Sequence, residues 1–108
     1  MLRKLFLSSF AITLSFSVCA NDAFFKGVSA LEESDTKSAI THFKQAASEG
    51  HDIAPYTLGV LYEKGEGVKQ DFYKAKTWYS KAAAKGHRGA RARLPIIESK
   101  IAALEEGN

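Results

Sequence analysis

Three histidines, His42, His51 and His87, and the spacing Ser34-x-x-Lys37 are the places where this sequence could carry chemistry. Histidines brought together ligate transition metals or shuttle protons near neutral pH. His51 and His87, however, each follow a glycine, Gly50 and Gly86, and stand 36 residues apart. Identical positions in two copies of one unit argue for architecture rather than a ligand pair. Each imidazole is expected beside the last carbonyls of its preceding helix, where a cation is favoured. The Ser34/Lys37 spacing is that of S-x-x-K acyl-transfer sites, which also need S-D-N and K-T-G elements. Neither occurs in the chain, so Ser34 and Asp35 read as a helix N-cap.

Gly65-Glu66-Gly67-Val68-Lys69 is not a phosphate cradle, because the P-loop spacing and a preceding strand are missing. Trp78 and the four tyrosines offer stacking faces for a sugar or peptide. Trp78, Tyr79 and Tyr62 nevertheless fall at helical spacing and are assigned to the core. No catalytic constellation, metal site or cofactor is expected.

The elements that position these residues are helices. Phe24, Val28 and Leu31 recur at spacings of four and three, as do Ala39, Phe43, Ala46 and Ala47. Leu58, Leu61 and Tyr62 repeat the pattern, and so do Ala75, Trp78, Tyr79, Ala82 and Ala83. Helices are predicted over 22–33, 36–49, 53–64, 72–85 and 89–106. Asp35, Asp52 and Asp71 are the expected N-caps of the second, third and fourth. Gly50 and Gly86 are expected to close helices with positive φ. Pro95 is expected to kink or divide the last helix near Leu94.

Sliding the chain by 36 residues places Asp35 on Asp71, Ala39 on Ala75, Ala46 on Ala82, Gly50 on Gly86 and His51 on His87. Self-similarity at this period marks stacked helical hairpins. Ala39, Ala46, Ala75, Ala82 and Gly59 are the expected close-contact positions between helices, with Phe43, Leu58, Tyr62, Tyr79 and Trp78 filling the space between.

The N-terminus is read separately. Arg3 and Lys4 precede an uncharged stretch from Leu5 to Val18, and Val18-Cys19-Ala20 supplies small residues before Asn21. That is the layout of a secretory signal peptide spanning residues 1–20. The apolar run is too short for a comfortable membrane span. Lipid attachment at Cys19 is disfavoured, because Val18 precedes it where a small residue is needed and Phe16 stands where leucine is usual. The expected mature chain, 21–108, has no cysteine and must be held by packing alone.

The formal net charge is +3. Without Arg3 and Lys4 the chain carries 13 basic and 12 acidic residues, a balance that gives no support to nucleic-acid binding. The distribution is uneven. Residues 21–71 hold nine acidic and five basic side chains, whereas residues 72–97 hold seven basic and none acidic. Such asymmetry suits a solvated basic face, an acidic partner or self-association.

The segment LGVLYEKGEGVKQDFYKAKTWYSKAAAKGH, Leu58 to His87, resembles a Sel-one-like repeat, a relative of the tetratricopeptide repeat. Leu58, Gly59, Tyr62, Gly65, Gly67, Val68, Asp71, Lys74, Ala75, Trp78, Tyr79, Lys81, Ala82, Ala83, Gly86 and Ala90 meet the family's fixed positions. Residues 23–51 resemble the same unit less fully. Gly27 and Val28 correspond to Gly59 and Val60 at an offset of 32, so four loop residues are missing from the first copy.

The resemblance implies an all-α fold, a short right-handed α-solenoid of antiparallel hairpins. About two repeats, hairpins 22–50 and 53–86 in the domain 21–108, are followed by a capping helix at 89–106. Its stripe Leu94, Ile97, Ile101 and Leu104 should seal the open end. The implied function is a non-catalytic adaptor or scaffold, periplasmic or secreted, that binds another protein or peptide. The concave face nominates Phe24, Val28, Leu31, Tyr56, Val60 and Glu63 as contacts, with Ile96 as an extension. The alternatives are an inhibitor or immunity-type protein and a cell-wall or β-lactam hydrolase. The enzyme has no acid–base or nucleophile set behind it.

Overall fold

The computed structural model describes residues 19–107. Among them are five helices and no strand. Helix α1 covers residues 19–32, α2 Thr36–Ser48, α3 Ala54–Lys64, α4 Phe72–Ala84 and α5 Arg88–Glu106. Most of the expected signal segment lies outside the described residues. Only Cys19 and Ala20 of it are described, within α1.

Each chain reversal has a local cause. Helix α1 ends as Asp35 N donates to Ala30 O at 2.8 Å and Ser34 N to Leu31 O at 3.0 Å, with Ser34 at φ 63°. The ends of α2 and α4 repeat this pairing. His51 N donates to Ala46 O and Gly50 N to Ala47 O, and His87 N donates to Ala82 O and Gly86 N to Ala83 O. Gly50 and Gly86 share φ 94°, and a β-carbon on either would meet no other atom within 4 Å. The backbone conformation, not crowding, therefore requires glycine at both.

The helix starts follow a second rule. Asp35 caps α2 by accepting from Ser38 N at 3.2 Å, and Asp71 caps α4 by accepting from Lys74 N at 3.0 Å. Hydrogen bonds from Ser38 hold the Asp35 carboxyl below its usual pKa. Histidines serve α3 and α5. His51 Nδ1 accepts from Ala54 N at 3.2 Å and Ile53 N at 3.3 Å, and His87 Nδ1 accepts from Ala90 N at 3.2 Å. Two expectations are thereby corrected. Asp52 does not cap α3. The histidines receive N–H groups of the following helix as neutral acceptors and do not meet the preceding carbonyls as cations. The αL turn brings the chain round, so the side chain after the glycine points at the next helix's free N–H groups.

Packing proceeds along the chain: α2 on α3, α3 on α4 and α4 on α5, with a lighter contact between α3 and α5. Ala39, Ala46, Ala75 and Ala82 are fully buried and let the helix axes approach. Phe43, Leu58, Tyr79 and Ile97, the largest fully buried side chains, fill the space between them. The solenoid reading holds, and α5 packs on α4 as expected of the last helix. The cap's stripe is shorter than expected. Ile97 and Ile101 are buried and Leu94 half-buried, but Leu104 is 50% exposed.

Pro95 does not divide the last helix, since α5 is one element with the proline inside it. Proline there removes one helical hydrogen bond. Ala90 and Ile97, both fully buried, fasten the turns on either side of it, and tertiary packing overrides the local preference.

Candidate protein-binding surface

The two hairpin junctions are built alike. A β-carbon on Gly27 would come within 2.6 Å of the Phe43 ring, and one on Gly59 within 2.6 Å of the Tyr79 ring. Phe24 stacks on His51 with centroids 4.1 Å apart and planes at 12°, and Tyr56 stacks on His87 at 4.3 Å and 18°. Phe24 also touches Phe43, and Tyr56 touches Tyr79, with centroids 5.5 and 5.6 Å apart. The partners in α1 and α3 are 32 residues apart, whereas those in α2, α4 and the capping turns are 36 apart. The four extra residues lie in the loop after Gly65, which returns to the body by Asp71 N donating to Tyr62 O at 2.9 Å.

This arrangement assigns the nominated contact residues. Phe24, Val28, Leu31, Tyr56 and Val60 are half-buried, each with part of its surface packed on the core. Phe24 and Tyr56 are further committed to the histidine stacks. Ile96 is exposed.

Glu63 is placed differently from the expectation. It is 5% exposed, and its carboxylate accepts from Arg93 Nε at 3.1 Å, from the Arg93 Nη2 group and from the Tyr79 hydroxyl at 3.5 Å. A buried carboxylate must be paired, so this side chain clamps α3 to α5 and offers no free contact. Burial, and then the Glu63 charge, push the Tyr79 hydroxyl up to about 12. The hydrogen bond to Glu63 raises Arg93 further. Burial lowers the pKa of His51, consistent with a neutral Nδ1 acceptor.

Sequence reasoning missed two features. One is this clamp, whose partners lie on helices separated by a whole hairpin. The other is a groove of about 380 Å³ between α2 and α4. Lys74, Trp78 and Lys81 recur at four and three along α4, and Lys85, four residues on, caps its C-terminus, a stripe legible as one helix face. Trp78, expected in the core, is half-buried against it. It also lines the groove, with Lys81 Nζ 4.4 Å from its ring centroid.

Among the described residues no cluster of His, Cys, Asp or Glu is arranged to hold a metal ion, and no helix is long and apolar enough to cross a membrane. The family model described as Sel1 repeat matches residues 18–51 and 55–87. Among curated proteins, the chain is similar to the DAP3-binding cell death enhancer 1 of Rattus norvegicus, 38% identical over 63 residues. The match covers 58% of this chain and 12% of that protein. The mouse protein of the same name is 36% identical over 63 residues. Chitin synthase regulatory factor 4 of Schizosaccharomyces pombe is 31% identical over 74 residues, 68% of this chain and 11% of that protein. The chain thus spans only a small part of the length of the curated relatives it matches.

Proposed function

The chain belongs to the Sel1 repeat family, a family of protein-interaction modules, and on that premise we infer that it is an exported, non-catalytic adaptor that holds a partner protein on the side formed by α1, α3 and α5. The observation that carries this reading is the use made of its reactive side chains. His51 and His87 cap helices, Asp35 and Asp71 cap helices, and Glu63 with Arg93 joins two of them. These side chains are spent on holding a scaffold in shape, while His42, whose Nδ1 has no hydrogen-bond partner among the described residues, stands outside that role. What such a scaffold presents is a set of half-buried apolar side chains, Val28, Leu31 and Val60, beside the rings of Phe24 and Tyr56. Apolar and aromatic groups with remaining accessible surface are the usual anchors of a protein interface.

Export rests on the N-terminal sequence: Arg3-Lys4, the uncharged stretch to Val18, and the small residues before Asn21. The test is recovery of the native chain with its partner. Mass spectrometry should find Asn21 as the first residue. A discrete protein should co-purify and be lost from a Val60→Arg variant that keeps its helicity. Retained Met1 would remove the export reading. A partner held equally by the Val60→Arg variant would remove the α1/α3/α5 site.

A further inference from the structure

The groove between α2 and α4 lies apart from the residues nominated above and is lined by the C-terminal halves of both helices. Its floor is apolar: Pro55 is buried, Ala47 and Trp78 are half-buried, and Ala84 adds a methyl group. Its rim is cationic, carrying Lys44, Lys81 and Lys85 and no carboxylate. None of these lysines forms a salt bridge among the described residues, whereas Lys26 and Lys76 do, with Asp22 and Glu98. Lys81 Nζ lies 4.4 Å from the Trp78 ring centroid, a cation–π contact between two of the groove's lining residues.

Three like charges around an apolar floor repel one another and are left without a counter-charge. That pattern is complementary to an acidic chain bearing one apolar side chain. A groove of about 380 Å³ suits a few residues of extended peptide and is small for a folded domain.

We propose that this groove is a second binding site, which takes a short acidic segment of another protein, with an aliphatic side chain on the Ala47, Pro55 and Trp78 floor and carboxylates on Lys44, Lys81 and Lys85. The apolar floor separates this occupant from a plain polyanion, which would meet the lysines alone. Trp78 reports on the site directly, because the chain has one tryptophan.

The test titrates the full chain with the peptide acetyl-Glu-Asp-Leu-Glu-Asp-amide, followed by tryptophan emission and by anisotropy of a fluorescein-labelled copy. The expected result is a saturable change, with Kd about tenfold weaker when salt rises from about 50 to about 300 mM. The double variant Lys81→Gln/Lys85→Gln, at exposed positions, should stay folded and bind at least about fivefold more weakly. Glycine in place of the peptide's leucine should also weaken binding. Val60→Arg should leave it unchanged, which separates this site from the α1/α3/α5 side. Absence of a saturable change would overturn the proposal, and so would equal binding by the lysine variant. Equal binding of the glycine peptide or of polyphosphate would make the groove a general anion surface. Self-association that the lysine substitutions abolish would assign it to a second copy of this chain, whose residues 21–71 are acidic.

Discussion

Gly59 lies against the ring of Tyr79 so closely that a β-carbon would come within 2.6 Å of it. Tyr79 is fully buried and has no room to withdraw. Two effects of Gly59→Ala oppose each other. Alanine favours the helix by about 1 kcal/mol over glycine. Forcing a methyl group into a packed core costs about 1–3 kcal/mol. Overpacking should win, with a net loss of about 1–2 kcal/mol in urea unfolding. Gly27→Ala, against Phe43, should behave alike. Variants as stable as the parent would mean that the hairpins do not approach this closely.

The Glu63–Arg93 clamp should show strong coupling. Arg93→Ala leaves a buried carboxylate with only the Tyr79 hydroxyl, and should cost about 2–4 kcal/mol after allowing for the partly exposed arginine. At the register-equivalent positions of the first junction stand Leu31 and Thr57. The double variant Glu63→Leu/Arg93→Thr copies that solution and should recover most of the loss. A double-mutant cycle in urea measures the coupling. Additive losses would mean that the clamp is not a unit.

Acid should act through His51. Its pKa is lowered in the fold, chiefly by burial, so the neutral form is favoured there. The stability it contributes is present above its unfolded value of about 6.5 and is lost as pH falls through the lower folded value. Protonation of Nδ1 removes the acceptor for Ile53 N and Ala54 N. His51→Asn keeps an acceptor but does not titrate. Between about pH 7.5 and about pH 5 the parent should lose more stability than the variant. Equal losses would remove His51 as the cause.

Periodicity and punctuation made most of the fold legible. The alanine positions and the φ 94° glycines were readable because one residue type is nearly obligatory at each. The histidine caps were not. Whether an imidazole after Gly50 meets the helix behind it or the helix ahead depends on how the αL turn aims the chain. Leu104 shared the spacing of Ile97 and Ile101, yet it is left exposed, and a stripe says nothing about which of its members a neighbour covers. Glu63 read as a contact because its position on α3 matched a face. Its burial depends on Arg93, thirty residues away, which no local pattern links to it. The α2/α4 groove was half legible, as a basic stripe interrupted by Trp78. Its apolar floor joins Trp78 and Ala84 of α4 to Ala47 of α2 and Pro55 of α3.

The central claim, a partner held on the α1/α3/α5 side, is tested most directly by photo-crosslinking. A benzophenone amino acid replaces Val28, Val60 or, as a control in the interhelical loop, Glu66, each in the full chain in its native compartment. The account predicts that positions 28 and 60 crosslink to the same discrete protein and that position 66 does not. Folded variants that give no product at 28 and 60, or the same product at all three positions, would contradict it.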